Sequence, residues 1–163
     1  MKKPFLYILL LGFISCIERK PIITGHEGQS LPSFNLLLPD SSTYFNTASI
    51  PEGQPVVLFY ISPRCPYCRA QMEDIVDNIE SMKDVQFYVF TPYPFREMKG
   101  FYKHYGLDKY PNISMGRDYT NFFGKYFETT IAPYTAIYKK DKTLKNAFKG
   151  KINTKQIIKT VVN

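Results

Sequence analysis

Two cysteines separated by two residues, Cys65-Pro66-Tyr67-Cys68, are the side chains best suited to chemistry in this 163-residue chain. Thiols at this spacing can form a disulfide, hold a metal, or cycle between disulfide and dithiol. Which of these applies depends on the elements that carry them. Pro55 to Ser62 (P-V-V-L-F-Y-I-S) is a nearly continuous apolar run rich in β-branched and aromatic residues, the pattern of a central strand buried on both faces. Pro63-Arg64-Cys65-Pro66 breaks it. From Pro66 to about Met82 the period becomes helical, with Cys68, Met72, Ile75 and Ile79 on one stripe and Val76 and Met82 widening it. Pro66 suits a first helical turn, where its missing N–H has no partner to lose. Cys65 is therefore expected at a helix N-terminus, whose free N–H groups and partial positive charge favour a thiolate. Arg64 adds a full positive charge beside it. A thiolate is the form that attacks a disulfide, so Cys65 is the expected nucleophile, and Cys68, one turn on and facing the core, the resolving thiol.

Other uses of the pair fit less well. Zinc would want a second ligand pair, and only His26 and His104 remain, far apart in sequence. No metal and no cofactor is expected. A static disulfide would leave an electropositive helix end without a use.

The rest of the chain supplies a frame. Val85 to Thr91 reads as the next strand, and Phe95 to Tyr105 as a helix stopped at Gly106. A strand–helix–strand order with a crossover this long calls for a parallel pair. Residues 107–118 read as a loop and Tyr119 to Phe127 as a short helix. Tyr134 to Tyr138 and Leu144 to Lys149 form a hairpin about Lys140-Asp141-Lys142. Thr154 to Val162 closes the chain as a helix, with Ile157, Ile158, Val161 and Val162 inward and Lys155 and Lys159 outward. Upstream, Phe34 to Leu38 and Thr43 to Phe45 read as a second hairpin.

The strand, the C-P-Y-C and the long helix resemble the thioredoxin fold. The stretch Thr129-Thr130-Ile131-Ala132-Pro133-Tyr134-Thr135 resembles the family's segment with a proline before the next strand. The resemblance implies that Pro133 is cis and faces the cysteines, with Ala132 and Pro133 lining the groove where an extended substrate strand pairs. With its N-terminal hairpin, the chain is similar to the thioredoxin-like lipoproteins of the bacterial cell envelope, in the alkyl hydroperoxide reductase and thiol-specific antioxidant superfamily. The implied architecture is α/β, a central mixed sheet flanked by helices with an N-terminal β-hairpin extension. The implied activity is exchange of dithiols and disulfides with envelope proteins, with Arg64, Pro66 and Tyr67 as active-site neighbours and a further redox partner to recharge the Cys65–Cys68 disulfide.

This chain departs from the family pattern at three places. Arg64 stands where thioredoxins usually have Trp, Phe59 where thioredoxin buries an acid, and Gln71 where membrane-anchored relatives often have Glu. The proton acceptor for Cys68 is thereby left unassigned, and Glu73 and Asp74 read as solvated helix residues. The Pro-Tyr dipeptide is that of glutaredoxins, which implies a less reducing potential than thioredoxin's. Ser62-Pro63-Arg64-Cys65 also resembles the end of the peroxiredoxin motif, which makes a peroxide reductase using Cys65 one alternative, although Leu58 stands where that motif has proline. A non-enzymatic, lipid-anchored binding module is the other.

The N-terminus carries an address. Lys2 and Lys3 precede an apolar run from Phe5 to Ile14, too short for the roughly 20 residues of a membrane span. It ends Phe13-Ile14-Ser15-Cys16, which resembles a bacterial lipobox, with Phe13 departing from the usual aliphatic residue. Residues 1–15 are then a lipoprotein signal peptide, Cys16 the lipidated residue, 16–30 a polar tether without periodicity, and 31–163 the thioredoxin-like domain, anchored to a membrane and facing the periplasm or exterior. A hydrophobic fraction of 44% excludes a disordered chain. The net charge is +7, and from Lys139 onward eight lysines face one acid, Asp141. These lysines alternate with apolar residues, the pattern of the wet face of a last strand and helix, so no nucleic-acid partner is expected.

Overall fold

The computed structural model describes residues 18–162, so the lipobox reading at Cys16 lies outside the described residues. Seven strands form one mixed sheet: β1 (Asn35–Leu37), β2 (Tyr44–Asn46), β3 (Val56–Tyr60), β4 (Gln86–Thr91), β5 (Ile113–Arg117), β6 (Tyr134–Tyr138) and β7 (Leu144–Lys149). Their order is β2-β1-β5-β4-β3-β6-β7. β3, β4 and β5 run parallel, and the remaining pairs are antiparallel. Among the described residues four α-helices accompany them: α1 (Pro66–Asp77), α2 (Phe95–His104), α3 (Phe122–Tyr126) and α4 (Thr154–Val162). This is the thioredoxin-like α/β fold with its N-terminal hairpin.

Every residue of β3 is buried, as its unbroken apolar run requires, because helices and aromatic side chains cover both sides. Val57, Phe59 and Ile61 point to the face of α1, joined there by Cys68, Met72 and Ile75. Val56, Leu58 and Tyr60 point to the other face, toward Phe90, Phe123 and Tyr134. The strand period of two thus divides one run between two cores.

Four expectations need correction. Residues 107–118 are not a loop. They hold a 3-10 turn, Leu107–Lys109, and β5, which bridges β4 to the N-terminal hairpin. Gly116 helps to explain why the strand is hidden in the sequence: a Cβ there would come 2.8 Å from Leu36 Cβ, so the strand crosses β1 with a residue of low strand propensity. The helix after Pro66 ends at Asp77, and a 3-10 turn, Ile79–Met82, finishes the apolar stripe. α3 is shorter than expected because Asp118 draws the chain into a turn, its carboxylate accepting from the Phe122 and Phe123 N–H groups at 2.9 Å each. Val162 is 77% exposed rather than inward.

The tether is also more ordered than its lack of periodicity suggests. Residues 18–30 lie along β7: Ile22 N–H donates to Ala147 at 2.8 Å, Gly28 N–H to Leu144 and Leu144 N–H to Gln29 at 2.9 Å each. This strap covers the free edge of β7 through backbone bonds, which leave no side-chain period to read.

Candidate active site

The junction of β3 and α1 presents the two thiols differently. Cys65 is the N-cap residue, in an extended conformation, with Pro66 opening the helix. It is half-buried, and its thiol donates to the Ala132 carbonyl at 3.6 Å. Cys68, a turn later, is fully buried within the aliphatic core. Its Sγ accepts from the Ser62 N–H at 3.4 Å. Both are free thiols. Burial first, and then the neighbouring Cys65, push the Cys68 thiol well above the ordinary cysteine range. The pair therefore divides by environment: one sulfur reaches the surface groove, the other sits in a dry shell.

The second sequence motif meets the first in space. The Ala132–Pro133 peptide is cis. Ala132 is half-buried and Pro133 buried, and the carbonyl between them is the one that contacts Cys65. Beside this contact lies a cleft of about 560 Å³, lined by Tyr60, Ser62, Pro92, Tyr93, Thr130 and Ala132 among others. Tyr60 donates its hydroxyl to Asn121 Oδ1 at 3.2 Å. Burial, with Asp118 and Tyr93 nearby, pushes that phenol up to about 12. Tyr67 is 65% exposed and stands over the helix start.

Arg64 is not the free cation expected beside Cys65. Its guanidinium forks onto Glu97 of α2, Nε to Oε2 at 3.0 Å and Nη2 to Oε1 at 2.6 Å. Much of its charge is directed at that carboxylate. Glu97 lies thirty-three positions away, and no local signal joins the two.

Gln71 is a second residue whose role the sequence left open. It is fully buried one turn beyond Cys68, donating to Thr135 Oγ1 at 2.9 Å and accepting from Ile152 N–H at 3.0 Å. Both ends of its amide are satisfied, so it ties α1 to β6 and to the chain before α4. Phe59 beneath is fully buried. Asp74 is not a freely solvated helix residue: it accepts from Thr154 N–H at 2.7 Å, at the start of α4. Ser62, read as a peroxiredoxin-like position, serves Cys68 through its backbone N–H. Among the described residues no group of His, Cys, Asp or Glu side chains could hold a metal ion. Among the same residues no helix is long and apolar enough to cross a membrane.

Comparison with known proteins places this geometry in a family context. The family model described as Redoxin matches residues 26–162. A search of curated proteins gives no significant match. Among solved structures, DsbF of Mycobacterium tuberculosis superposes with a TM-score of 0.67 at 19% identity, covering 79% of this chain and 92% of its own. A secreted M. tuberculosis disulfide oxidoreductase homologous to E. coli DsbE gives 0.62 at 21% identity, covering 78% and 91%. The peroxidoxin BcpB of the same organism gives 0.66 at 13%, covering 84% and 94%.

Proposed function

Since the chain belongs to the Redoxin family, we propose that it is a thiol–disulfide oxidoreductase acting on envelope proteins through Cys65 and Cys68. The carrying observation is the contact of the Cys65 thiol with the carbonyl of Ala132, a residue that lines the cleft, one helical turn from a buried second thiol. An extended partner segment laid along residues 130–132 would bring its own disulfide to Cys65 Sγ.

In the reductive direction, the Cys65 thiolate attacks one sulfur of the partner's disulfide. That bond breaks, a mixed disulfide forms, and the partner's other sulfur leaves as a thiolate. Cys68, having given up its proton, then attacks Cys65 Sγ, closes the Cys65–Cys68 disulfide and releases the partner's second sulfur. Two electrons pass to the partner, and the two released sulfurs end protonated as its dithiol. Gln71 is neutral and its oxygen is held by Ile152 N–H, so the Cys68 proton passes to solvent or to the departing thiolate. In the oxidative direction the same steps reverse.

Envelope localisation by acylation at Cys16 belongs to the same reading, supported by the lipobox-like Ser15-Cys16 end of the apolar run and by a fold shared with a secreted oxidoreductase. The test is trapping: a Cys68→Ser variant expressed in cells should accumulate mixed disulfides with a defined set of envelope proteins, each released by reductant. The proposal fails if no adduct forms and a variant lacking both thiols still complements a deletion.

A further inference from the structure

Along the edge of the sheet away from the hairpin, the strap, β7 and α4 meet in a mainly basic surface. The strap's first residues are clamped there. Arg19 N–H donates to Gln156 Oε1 at 3.1 Å, Arg19 Nε donates to the Lys151 carbonyl at 3.1 Å, and Glu18 pairs with Lys159 at 2.8 Å. A cleft of about 440 Å³ between these elements is lined by Arg19, Lys20, Lys145 and Lys159. Lys155 lies one turn before Lys159 on the exposed side of α4, and Lys151 is exposed just ahead of that helix. Among the described residues Glu18 is the only carboxylate lining the cleft, and it is occupied by Lys159. Folding has therefore gathered cations from both ends of the sequence onto one face.

We propose that this face docks on a bilayer surface carrying anionic headgroups. Charge complementarity is the first argument: each basic residue near such a surface raises partitioning about fivefold, and the effects accumulate along a patch. The second is continuity with the chain end. Cys16 is two positions before Glu18 in the sequence, and Glu18 lies at the margin of the patch. An acyl chain there and the basic face would act on the same membrane, and the pairing of a lipid with a polybasic surface stabilises attachment beyond one chain alone. For the anchor the inference rests on the reading of Cys16; the basic face stands apart from it. β6, β7 and the strap lie between β3 and that edge, so docking would hold the dithiol end of β3 about 15 Å, three strand spacings, from the docked edge.

Processed full-length protein would be mixed with phosphatidylcholine vesicles, or with vesicles rich in phosphatidylglycerol, and its lysines acetylated and mapped by mass spectrometry. Flotation with the neutral vesicles reports the acyl anchor alone. If the protein floats there, the face is read by labelling. Lys20, Lys145, Lys155 and Lys159 should be protected severalfold on the anionic vesicles and not on the neutral ones, with Lys83 and Lys103 unchanged and protection lost in high salt. If it does not float, the anchor reading fails. The face is then read by salt-sensitive flotation with anionic vesicles, lowered at least tenfold by combined Lys→Gln changes at 20, 145, 155 and 159. Equal labelling of an anchored protein on both vesicle types overturns the proposal, as does no anionic flotation of an unanchored one. Protection by single-stranded DNA without protection by vesicles would assign the face to nucleic acid instead.

Discussion

The two faces of the sheet are packed with different materials. On the face of α1 the buried side chains are mostly aliphatic or sulfur-bearing, among them Val57, Ile61, Cys68, Met72, Ile75 and Met98. On the opposite face aromatic rings dominate: Phe90 and Phe123 meet edge-on at 5.0 Å, Tyr60 stacks on Phe123 at 5.3 Å, and Phe123 packs against Phe127 at 4.6 Å. The aromatic face also receives the irregular parts of the chain. His26 of the strap stacks on Tyr126 at 4.2 Å, and Phe34, just before the hairpin, stacks on Phe122 at 5.2 Å. The difference separates two tasks. A resolving thiol kept neutral needs a dry, closely filled shell. Segments with little secondary structure of their own need large rings, which bury much area per residue and fix geometry through edge-to-face contact.

The comparison can be broken most forcefully by cutting one side chain from each core. Phe123→Ala removes the ring at the centre of the aromatic cluster and should lower stability by about 3–5 kcal/mol. It should leave the native labelling rate of Cys68 unchanged under conditions where the variant stays folded. Met72→Ala should cost about 2–5 kcal/mol and also open space beside Cys68, so that alkylation of that thiol accelerates. Urea midpoints with mass-spectrometric labelling separate the two. Equal acceleration of Cys68 in both variants would show that the faces do not divide the work.

A second effect belongs to the thiol face alone. Because burial raises the Cys68 thiol, the folded dithiol keeps its proton at a pH where the unfolded chain has lost it. That contribution is fully present below the unfolded value of about 8.5 and declines as pH rises toward the folded one. The reduced protein should therefore lose stability relative to the oxidised one above about pH 8.5, with a slope approaching about 1.4 kcal/mol per pH unit. In the oxidised form neither Cys65 nor Cys68 titrates, and the tyrosines are common to both. Urea midpoints of the two forms across this range give the test, with Cys65→Ser retaining the slope and Cys68→Ser losing it. Parallel curves would mean that Cys68 is not held in a dry shell.

Where the chain announces itself, the signals are short-range. The apolar run of β3 and the stripe of α1 as far as Asp77 repeat on a local period and lie where that period puts them, and the turn at residues 140–142 falls between β6 and β7 as its residue types suggest. The Ala132-Pro133 segment was legible through resemblance, because its backbone geometry depends on the proline. What stayed hidden depends on contacts distant in sequence. β5 carries Ser114, Gly116 and Arg117, a poor strand by composition, and is held by β4 on one side and β1 on the other. The strap is fixed by backbone bonds to β7, to which side-chain patterning is blind. Arg64 looked like an activator of Cys65 because its neighbours in sequence include no acid; Glu97 arrives only when α2 packs. Gln71 could be seen to replace an acid, but its partners Thr135 and Ile152 could not.

The smallest expected effect has the opposite sign, and it sharpens the contrast within a single strand. β6 sends Thr135 to the thiol face and Tyr134 to the aromatic one. Thr135 receives the Gln71 amide at 2.9 Å, so these two buried side chains satisfy each other. The Tyr134 hydroxyl is buried with no hydrogen-bond partner among the described residues. Its ring lies 5.3 Å from Phe127 and 5.4 Å from Phe123, and those contacts need only the ring. An unpaired buried hydroxyl carries a desolvation penalty without a compensating bond, so removing it while keeping the ring should be favourable. Tyr134→Phe is expected to raise stability by about 1 kcal/mol, visible as a higher urea midpoint with unchanged slope. Labelling of Cys65 and Cys68 should not change, because the hydroxyl lies on the far side of the sheet from α1. Thr135→Val, its neighbour on the other face, should instead lower stability by about 1–3 kcal/mol, since it strands the buried Gln71 amide. If Tyr134→Phe lowers stability by as much as Thr135→Val, a partner for the hydroxyl is present in solution, and Tyr134 is as well paired as Thr135.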